Sequence, residues 1–227
     1  LTQEHHRAER RGERRQRASQ APLQAVLQQY PSAQKPLWHW LDAVQAAQLR
    51  RYAQIEILKR RALDRYSLEE YWQKIPAEQK RDPKVAAAAA QCFAALGGGE
   101  QACQIIEAAL DHEWDSALVG WYADYGGASA VRRIERAEKW LQANPRDSAL
   151  LLTLGRLCAE QELWGKAQSY LDASLAVEPT WSPHLALAEL HDGLGHADAA
   201  RRHTRESLDL AVAQLKQLSG GRRRTPL

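Results

Sequence analysis

The chain has 227 residues, of which 44% are hydrophobic and 26% charged, and its formal net charge is +3. This length and composition exclude an intrinsically disordered chain, because they supply enough apolar side chains for a sizeable core. No window approaches the ~20 consecutive apolar residues of a membrane-spanning helix, and the start is too rich in arginine for a signal peptide, so we expect a soluble region. The first residue is Leu and Met is absent, from which we expect a fragment of a longer protein.

The basic residues are concentrated at the two ends. Residues 1–18 hold six Arg and three Glu, and residues 216–227 hold one Lys and three Arg, which leaves the body between them acidic. Such ends are typical of solvated segments, with binding to an anionic membrane or to nucleic acid as the less favoured interpretation. We therefore do not expect nucleic acid to be the partner.

The composition of the chain and the spacing of its Pro and Gly residues predict helices throughout. Ala, Leu, Gln, Glu and Arg dominate, runs of β-branched residues are missing, and Pro and Gly recur at intervals that leave segments of helix-pair size. In residues 148–179 the apolar side chains follow helical spacing twice. The small residues Gly155, Ala167 and Ser174 stand where two antiparallel helices must approach closely.

This segment resembles the tetratricopeptide repeat (TPR), a helix-turn-helix unit of roughly 34 residues. The signature positions that match are Leu154, Gly155, Ala167, Leu171, Ser174 and Pro179. Leu151 and Cys158 replace the commoner Trp and Tyr at sites that need only apolar bulk. Related units cover residues 83–112 and 181 onward. A degenerate unit, residues 114–143, lies between the first of these and the segment 148–179. The sequence thus predicts an all-α fold, a right-handed α-solenoid of stacked TPR-like hairpins.

We divide the chain into four segments. Residues 1–20 are basic and poorly packed, 21–76 form degenerate helical repeats, 77–215 are TPR-like repeats, and 216–227 are a basic tail. Within the second segment, SLEEYWQKIP at 67–76 places its four large apolar side chains on one helical face, and we expect this helix to dock on a neighbour.

A more specific resemblance covers residues 66–213. The EEYWQKIP helix, DPKVAAAAAQCFAALG, QIIEAALDHEWDSALVGWYADY and the final LLLTLGRLC and ELWGKAQSYLDASLAVEP segments are similar to the C-terminal region of HemY-type proteins. These are proteobacterial TPR proteins associated with haem biosynthesis. The resemblance implies an inner-membrane protein whose transmembrane helices lie upstream of this fragment.

The same resemblance implies a non-enzymatic scaffold that organises the enzymes of a late step in protohaem synthesis. It assigns no catalytic residue. Two alternatives stay open, namely direct binding or carriage of haem or porphyrin, and a generic protein-interaction module unrelated to haem. The three cysteines and the basic segments favour the cytoplasmic side of the membrane for the soluble region.

The candidate partner-binding residues come from the first helix of each pair, which lines the concave face of a solenoid. Counting from Ser148 and Trp181, the exposed inner-face positions are Leu152, Arg156, Glu160, Leu185, Glu189 and Asp192. A clamp for a terminal carboxylate is not expected, because Arg156 is the only cation among them. The simpler interpretation is that Arg156 and Glu189 solvate the face or pair across neighbouring repeats.

The histidines raise the question of haem. His184 and His191 are seven residues apart on one predicted helix, and they are the candidates for haem contact because haem iron accepts an axial His. Packing is the favoured alternative. The spacing of Cys and His matches no zinc template, so we expect no metal site. We also expect no cofactor, with haem as the alternative. Trp38 and Trp40 start a predicted helix and cannot both face inward. Packing on upstream repeats is the favoured interpretation, and exposure or contact with a partner is the alternative.

Overall fold

The computed structural model describes residues 43–126 and 129–221. This part of the chain forms eleven helices and contains no strand. The helices are α1 (Ala43–Arg61), α2 (Arg65–Lys74), α3 (Ala77–Lys80), α4 (Pro83–Ala95), α5 (Gly99–Leu110), α6 (Ser116–Gly120), α7 (Ala130–Ala143), α8 (Ser148–Glu160), α9 (Trp164–Val177), α10 (Trp181–Gly193) and α11 (Ala197–Gly221).

Several predicted features fall outside these limits. The segment 1–20, residues 21–42 of the predicted degenerate repeats, Trp38 and Trp40 all lie outside the described residues. At the other end, α11 continues to Gly221, so residues 216–221 of the predicted tail are helical. No helix in the described ranges combines the length and the hydropathy that crossing a lipid bilayer requires.

By its contacts the chain divides into two units, residues 1–52 and 53–227. The described part of the first unit is the beginning of α1, where Leu49 and Tyr52 are exposed. The second unit holds the core, which extends from Leu58 to Leu190.

Within the second unit, helices that follow one another form hairpins. The most extensive contacts join α4 to α5, α8 to α9 and α10 to α11. Successive hairpins then stack, since α8 contacts both α7 and α10, and α9 contacts α10. Contacts restricted to neighbouring pairs are the mark of a repeat array. The predicted all-helical, TPR-like array of stacked hairpins is confirmed.

The three hairpins share one turn geometry. The turns between their helices hold Gly97, Glu162 and Gly195 at φ of 76°, 55° and 74°. The residue after each of them donates its backbone N–H to a carbonyl five residues earlier, at 2.8 to 2.9 Å. This is the Schellman pattern, which favours glycine at the left-handed position. Glu162 therefore occupies a site that suits glycine.

Small residues allow α8 and α9 to approach closely, as predicted. A Cβ added to Gly155 would lie 2.5 Å from Cδ2 of Leu171, and Ala167 and Ser174 are fully buried. The Ser174 hydroxyl also donates to the carbonyl of Ser148 at 2.8 Å. In the next hairpin the hydroxyl of Ser207 donates to the carbonyl of Trp181 at 2.9 Å. The same helix-to-helix bond thus recurs from one repeat to the next.

The docking helix predicted at 67–76 is observed as α2. It buries Leu68 and Trp72 and contacts α4. The indole of Trp72 meets Phe93 edge to face, with ring centroids 6.3 Å apart, an arrangement that aromatic pairs prefer. The amphipathic face read from the sequence is therefore the face that packs.

Two acidic residues between α5 and α6 have structural roles. Asp115 caps α6 by accepting the backbone N–H of Leu118 at 2.8 Å, and Asp111 accepts from the indole N–H of Trp140 at 3.1 Å. Gly97 and Gly98 lie in the turn before α5, and Gly99 is the first residue of that helix. A Cβ at Gly99 would lie 1.7 Å from the carbonyl oxygen of Gly126, so only glycine fits there.

Candidate partner-binding groove

A groove of about 460 Å³ runs across the first helices of three successive units. We call it the inner groove. The residues that line it come from α6, α8 and α10 and from the turn after α6. They are Ala117, Gly120, Trp121, Asp124, Leu152, Arg156, Trp181, Ser182, Leu185, Ala186 and Glu189.

Two indoles give the inner groove its apolar character. Trp121 is 41% exposed and Trp181 is 39% exposed, while Leu185 is also exposed. Core-sized side chains left open to water in a concave surface are typical of interaction sites, and tryptophan is enriched among the residues that dominate binding energy. The groove therefore offers apolar area that a partner can cover.

One ion pair crosses the groove between neighbouring units. Nη2 of Arg156 lies 2.5 Å from Oδ1 of Asp124. Glu189 makes no ion pair with any residue in the described ranges, and it is exposed. These three residues are the charged ones of the lining, which leaves the groove with a net charge of −1. Arg156 thus pairs across repeats, as the simpler interpretation held, but with Asp124 and not with Glu189.

Four of the six predicted inner-face residues line this groove, namely Leu152, Arg156, Leu185 and Glu189. Asp192 lies one turn further along α10 and lines a second groove between α10 and α11. Glu160 does not line the inner groove. Both of its carboxylate oxygens accept from Nη2 of Arg133 at 2.9 Å. The binding role of all six residues stays a prediction.

Sequence reasoning missed two important residues of the groove. Trp121 and Asp124 belong to the degenerate unit, whose first helix ends at Gly120 and continues as a turn. The repeat pattern is too weak there to assign inner-face positions by counting. The available signal was composition, since Trp121 is a large aromatic residue outside any packing position of the repeat.

The two candidate haem residues do not line the inner groove. His184 and His191 project from α10 toward α11, where they meet His203. The rings of His191 and His203 are stacked at 5.6 Å with an interplanar angle of 12°. Nδ1 of His184 lies 3.0 Å from Nδ1 of His203. Haem contact through these residues stays a prediction.

The cysteines are buried packing residues. Burial raises the pKa of the Cys92, Cys103 and Cys158 thiols. The Cys103 thiol also donates to the carbonyl of Tyr125 at 3.4 Å. A buried thiol with a raised pKa holds little thiolate at neutral pH, which makes it a poor nucleophile.

Fold and groove together define an array of TPR-type helical hairpins with an open inner face. No family model and no curated protein matches the chain. Among solved structures it is similar to MamA MSR-1 at 14% identity over 72% of this chain and 95% of that chain, with a TM-score of 0.44. MamA AMB-1 shows 18% identity over 72% and 98%, with a TM-score of 0.45. A further MamA crystal structure shows 11% identity over 66% and 90%, with a TM-score of 0.47.

At these values the fold assignment rests on the contacts of this chain, not on the likeness. The matched structures do not bear on haem, and the HemY-type role remains an expectation from the sequence.

Proposed function

We propose that this chain is a non-enzymatic scaffold that binds a segment of a partner protein in the inner groove. The observation that carries the proposal is the pair of half-exposed indoles, Trp121 and Trp181, in one groove built from successive first helices. Covering two such side chains releases water from apolar surface, which is the main driving force of protein association.

The groove also indicates the chemistry of the segment. Its apolar walls suit an aromatic or aliphatic anchor, and the exposed carboxylate of Glu189 suits a Lys or Arg beside that anchor. A terminal carboxylate is a poor ligand, because Arg156 is already engaged by Asp124. We infer an internal segment that is apolar and carries positive charge.

The finer proposal is that the partners are late enzymes of protohaem synthesis and that the whole protein is anchored in the inner membrane, with this region on the cytoplasmic side. Its support is the resemblance of residues 66–213 to HemY-type proteins. The groove is compatible with this role but does not select it.

The experiment measures affinity by biolayer interferometry against purified ferrochelatase and protoporphyrinogen oxidase. At least one enzyme is expected to bind, and Trp181→Ala is expected to weaken that binding by about tenfold or more. Val131→Ala is the control, because Val131 is an exposed apolar residue of α7 outside the groove.

Two results are informative in different ways. If neither enzyme binds, the haem-specific proposal fails. If an enzyme binds and Trp181→Ala leaves the affinity unchanged, the inner groove is not the binding surface. If neither enzyme binds, peptides are selected from a random library against the wild type. Selected peptides that no longer bind Trp181→Ala would identify a generic interaction module.

Direct haem binding is a second proposal, favoured by the position of His184 and His191 in one hairpin. Titration with haemin is expected to give a saturable Soret shift that His191→Ala weakens. Absence of a saturable shift removes this proposal.

A further inference from the structure

Three side chains of the last hairpin direct ligand atoms at one point. His184 comes from α10, and His203 and Glu206 come from α11. Nδ1 of His184 lies 3.0 Å from Nδ1 of His203 and 3.1 Å from Oε2 of Glu206, and the third distance, from His203 Nδ1 to the same oxygen, is 3.6 Å. The three atoms are the corners of a small triangle.

We propose that His184, His203 and Glu206 bind a divalent zinc ion. This site goes beyond the scaffold function and does not depend on it. Imidazole nitrogen and carboxylate oxygen are ligands that Zn²⁺ accepts, at bond lengths of about 2.0 to 2.2 Å.

The size of the triangle fits such an ion. Two ligands of a tetrahedral zinc ion with bonds of about 2.05 Å are separated by about 3.3 Å. Two of the observed distances between ligand atoms, 3.0 and 3.1 Å, are slightly below this value, and the third, 3.6 Å, is slightly above it. An ion can therefore reach all three atoms at once from a position slightly outside their plane, with the fourth position left for water.

Protons alone satisfy this arrangement poorly. Each corner carries a lone pair, and a neutral imidazole has only one N–H. If Nδ1 of His184 carries that hydrogen, this single N–H must be shared between two acceptors, Nδ1 of His203 and the Glu206 carboxylate. A second hydrogen on Nδ1 of His203 would clash with the first, because the two nitrogens are only 3.0 Å apart. A cation at the centre satisfies all three lone pairs.

The surroundings keep the imidazoles available as ligands. The side chains of His184 and His203 are 14% and 20% exposed, and that of Glu206 is 46% exposed. His191 stacks on the His203 ring, and this contact restricts the orientation of that ring.

No zinc template is visible in the sequence because the ligands are divided between two helices. His203 and Glu206 are three residues apart on α11, but the remaining ligand is nineteen residues earlier on α10. Zinc would thus connect the two helices of the last hairpin. Binding that involves only the folded state raises the melting temperature.

The test is titration of the full chain with ZnCl₂ by calorimetry and with CoCl₂ by visible absorbance. Because His5 and His6 are adjacent in the sequence, the titration uses a His5→Ala, His6→Ala background. We expect one equivalent of Zn²⁺, visible bands of four-coordinate Co²⁺, and a Tm higher by about 5 to 10 °C at a hundredfold excess over Kd.

Variants separate the triad from its neighbours. His203→Ala and Glu206→Gln are expected to weaken binding by at least about tenfold. His196→Ala is the matched control, since His196 is an exposed histidine of the same hairpin whose ring lies near His191 and outside the triad, and its Kd should change less than about twofold. Far-UV circular dichroism checks that each variant is folded.

The proposal is overturned if the folded His5→Ala, His6→Ala protein takes up no Zn²⁺ at 100 µM, on the order of the weakest meaningful affinity. It is equally overturned if Glu206→Gln and His203→Ala in this background bind Zn²⁺ as tightly as the background protein itself. A loss in His196→Ala equal to that in His203→Ala would show diffuse binding to histidines and would also contradict it.

Discussion

Arg133 donates from Nη2 to both carboxylate oxygens of Glu160, at 2.9 Å each, across the junction between α7 and α8. The Arg133 side chain is 2% exposed, while that of Glu160 is 48% exposed. Nε and Nη1 of Arg133 are buried without a hydrogen-bond partner among the described residues. Glu160 is therefore the residue that compensates a buried charge between two repeats.

Removing this carboxylate should destabilise the array. Glu160→Ala is expected to lower the free energy of unfolding by about 1–3 kcal/mol, less than for a fully buried pair because water reaches the carboxylate. Arg133→Met removes the buried charge itself and should cost less. Urea unfolding measures both. Equal or larger destabilisation in Arg133→Met would contradict this account of the pair.

The contact between Gly155 and Leu171 predicts the cost of a single methyl group. In Gly155→Ala the new Cβ would lie 2.5 Å from the Leu171 side chain, so we expect a loss of about 1–3 kcal/mol in stability from overpacking. Gly165→Ala in the adjacent helix is the control. Nothing lies within 4 Å of its Cβ position, and this variant should gain about 0.5–1 kcal/mol.

Thermal or urea unfolding compares the two glycine variants. An equal change in the free energy of unfolding would show that the close approach of α8 and α9 does not restrict the size of residue 155.

The turn geometry predicts a stabilising substitution. Glu162 has a φ of 55° at the position that glycine occupies in the two other turns. Glu162→Gly should raise the free energy of unfolding by about 0.5–1 kcal/mol, because the left-handed conformation costs a side chain about 1–2 kcal/mol and glycine loses part of this gain through backbone entropy. Gly195→Ala, at φ 74°, should destabilise by a similar amount.

Differential scanning calorimetry of the two turn variants gives the comparison. Opposite signs of the change in Tm support the shared turn geometry, and a lower Tm for Glu162→Gly contradicts it.

Part of this structure could be predicted from the sequence, and the reason differs between regions. Gly155, Ala167 and Ser174 are fixed by the closeness of two helices joined by a short turn, so local spacing was enough to locate them. The packing face of α2, which contains Leu68 and Trp72, could be predicted for the same reason, because its apolar residues recur at helical spacing.

The rest depends on contacts between units. Glu160 has the spacing of an inner-face residue, but its partner, Arg133, lies 27 residues earlier, and no helical period reveals that pairing. Trp121 belongs to a unit too degenerate for position counting. His203 and Glu206 become neighbours of His184 only when the last hairpin closes.

The thiols provide a prediction about pH. Since burial raises the pKa of Cys92, Cys103 and Cys158, the thiolate fraction at pH 8 should be below that of a free cysteine. Reaction with Ellman's reagent at pH 8 should therefore be slow in the folded protein and should reach three equivalents on unfolding in guanidinium. Three equivalents within seconds under native conditions would show that the thiols are accessible.

The most direct test of the proposed function observes the two groove indoles themselves. In a ¹⁵N spectrum of the tryptophan side chains, assigned by Trp→Phe variants, the Nε1–H signals of Trp121 and Trp181 are followed while ferrochelatase or a library-selected peptide is added. The account predicts that these two signals shift or broaden with the bound fraction, while that of buried Trp140, which bonds to Asp111, keeps its position. Saturable binding that leaves Trp121 and Trp181 unchanged would contradict it.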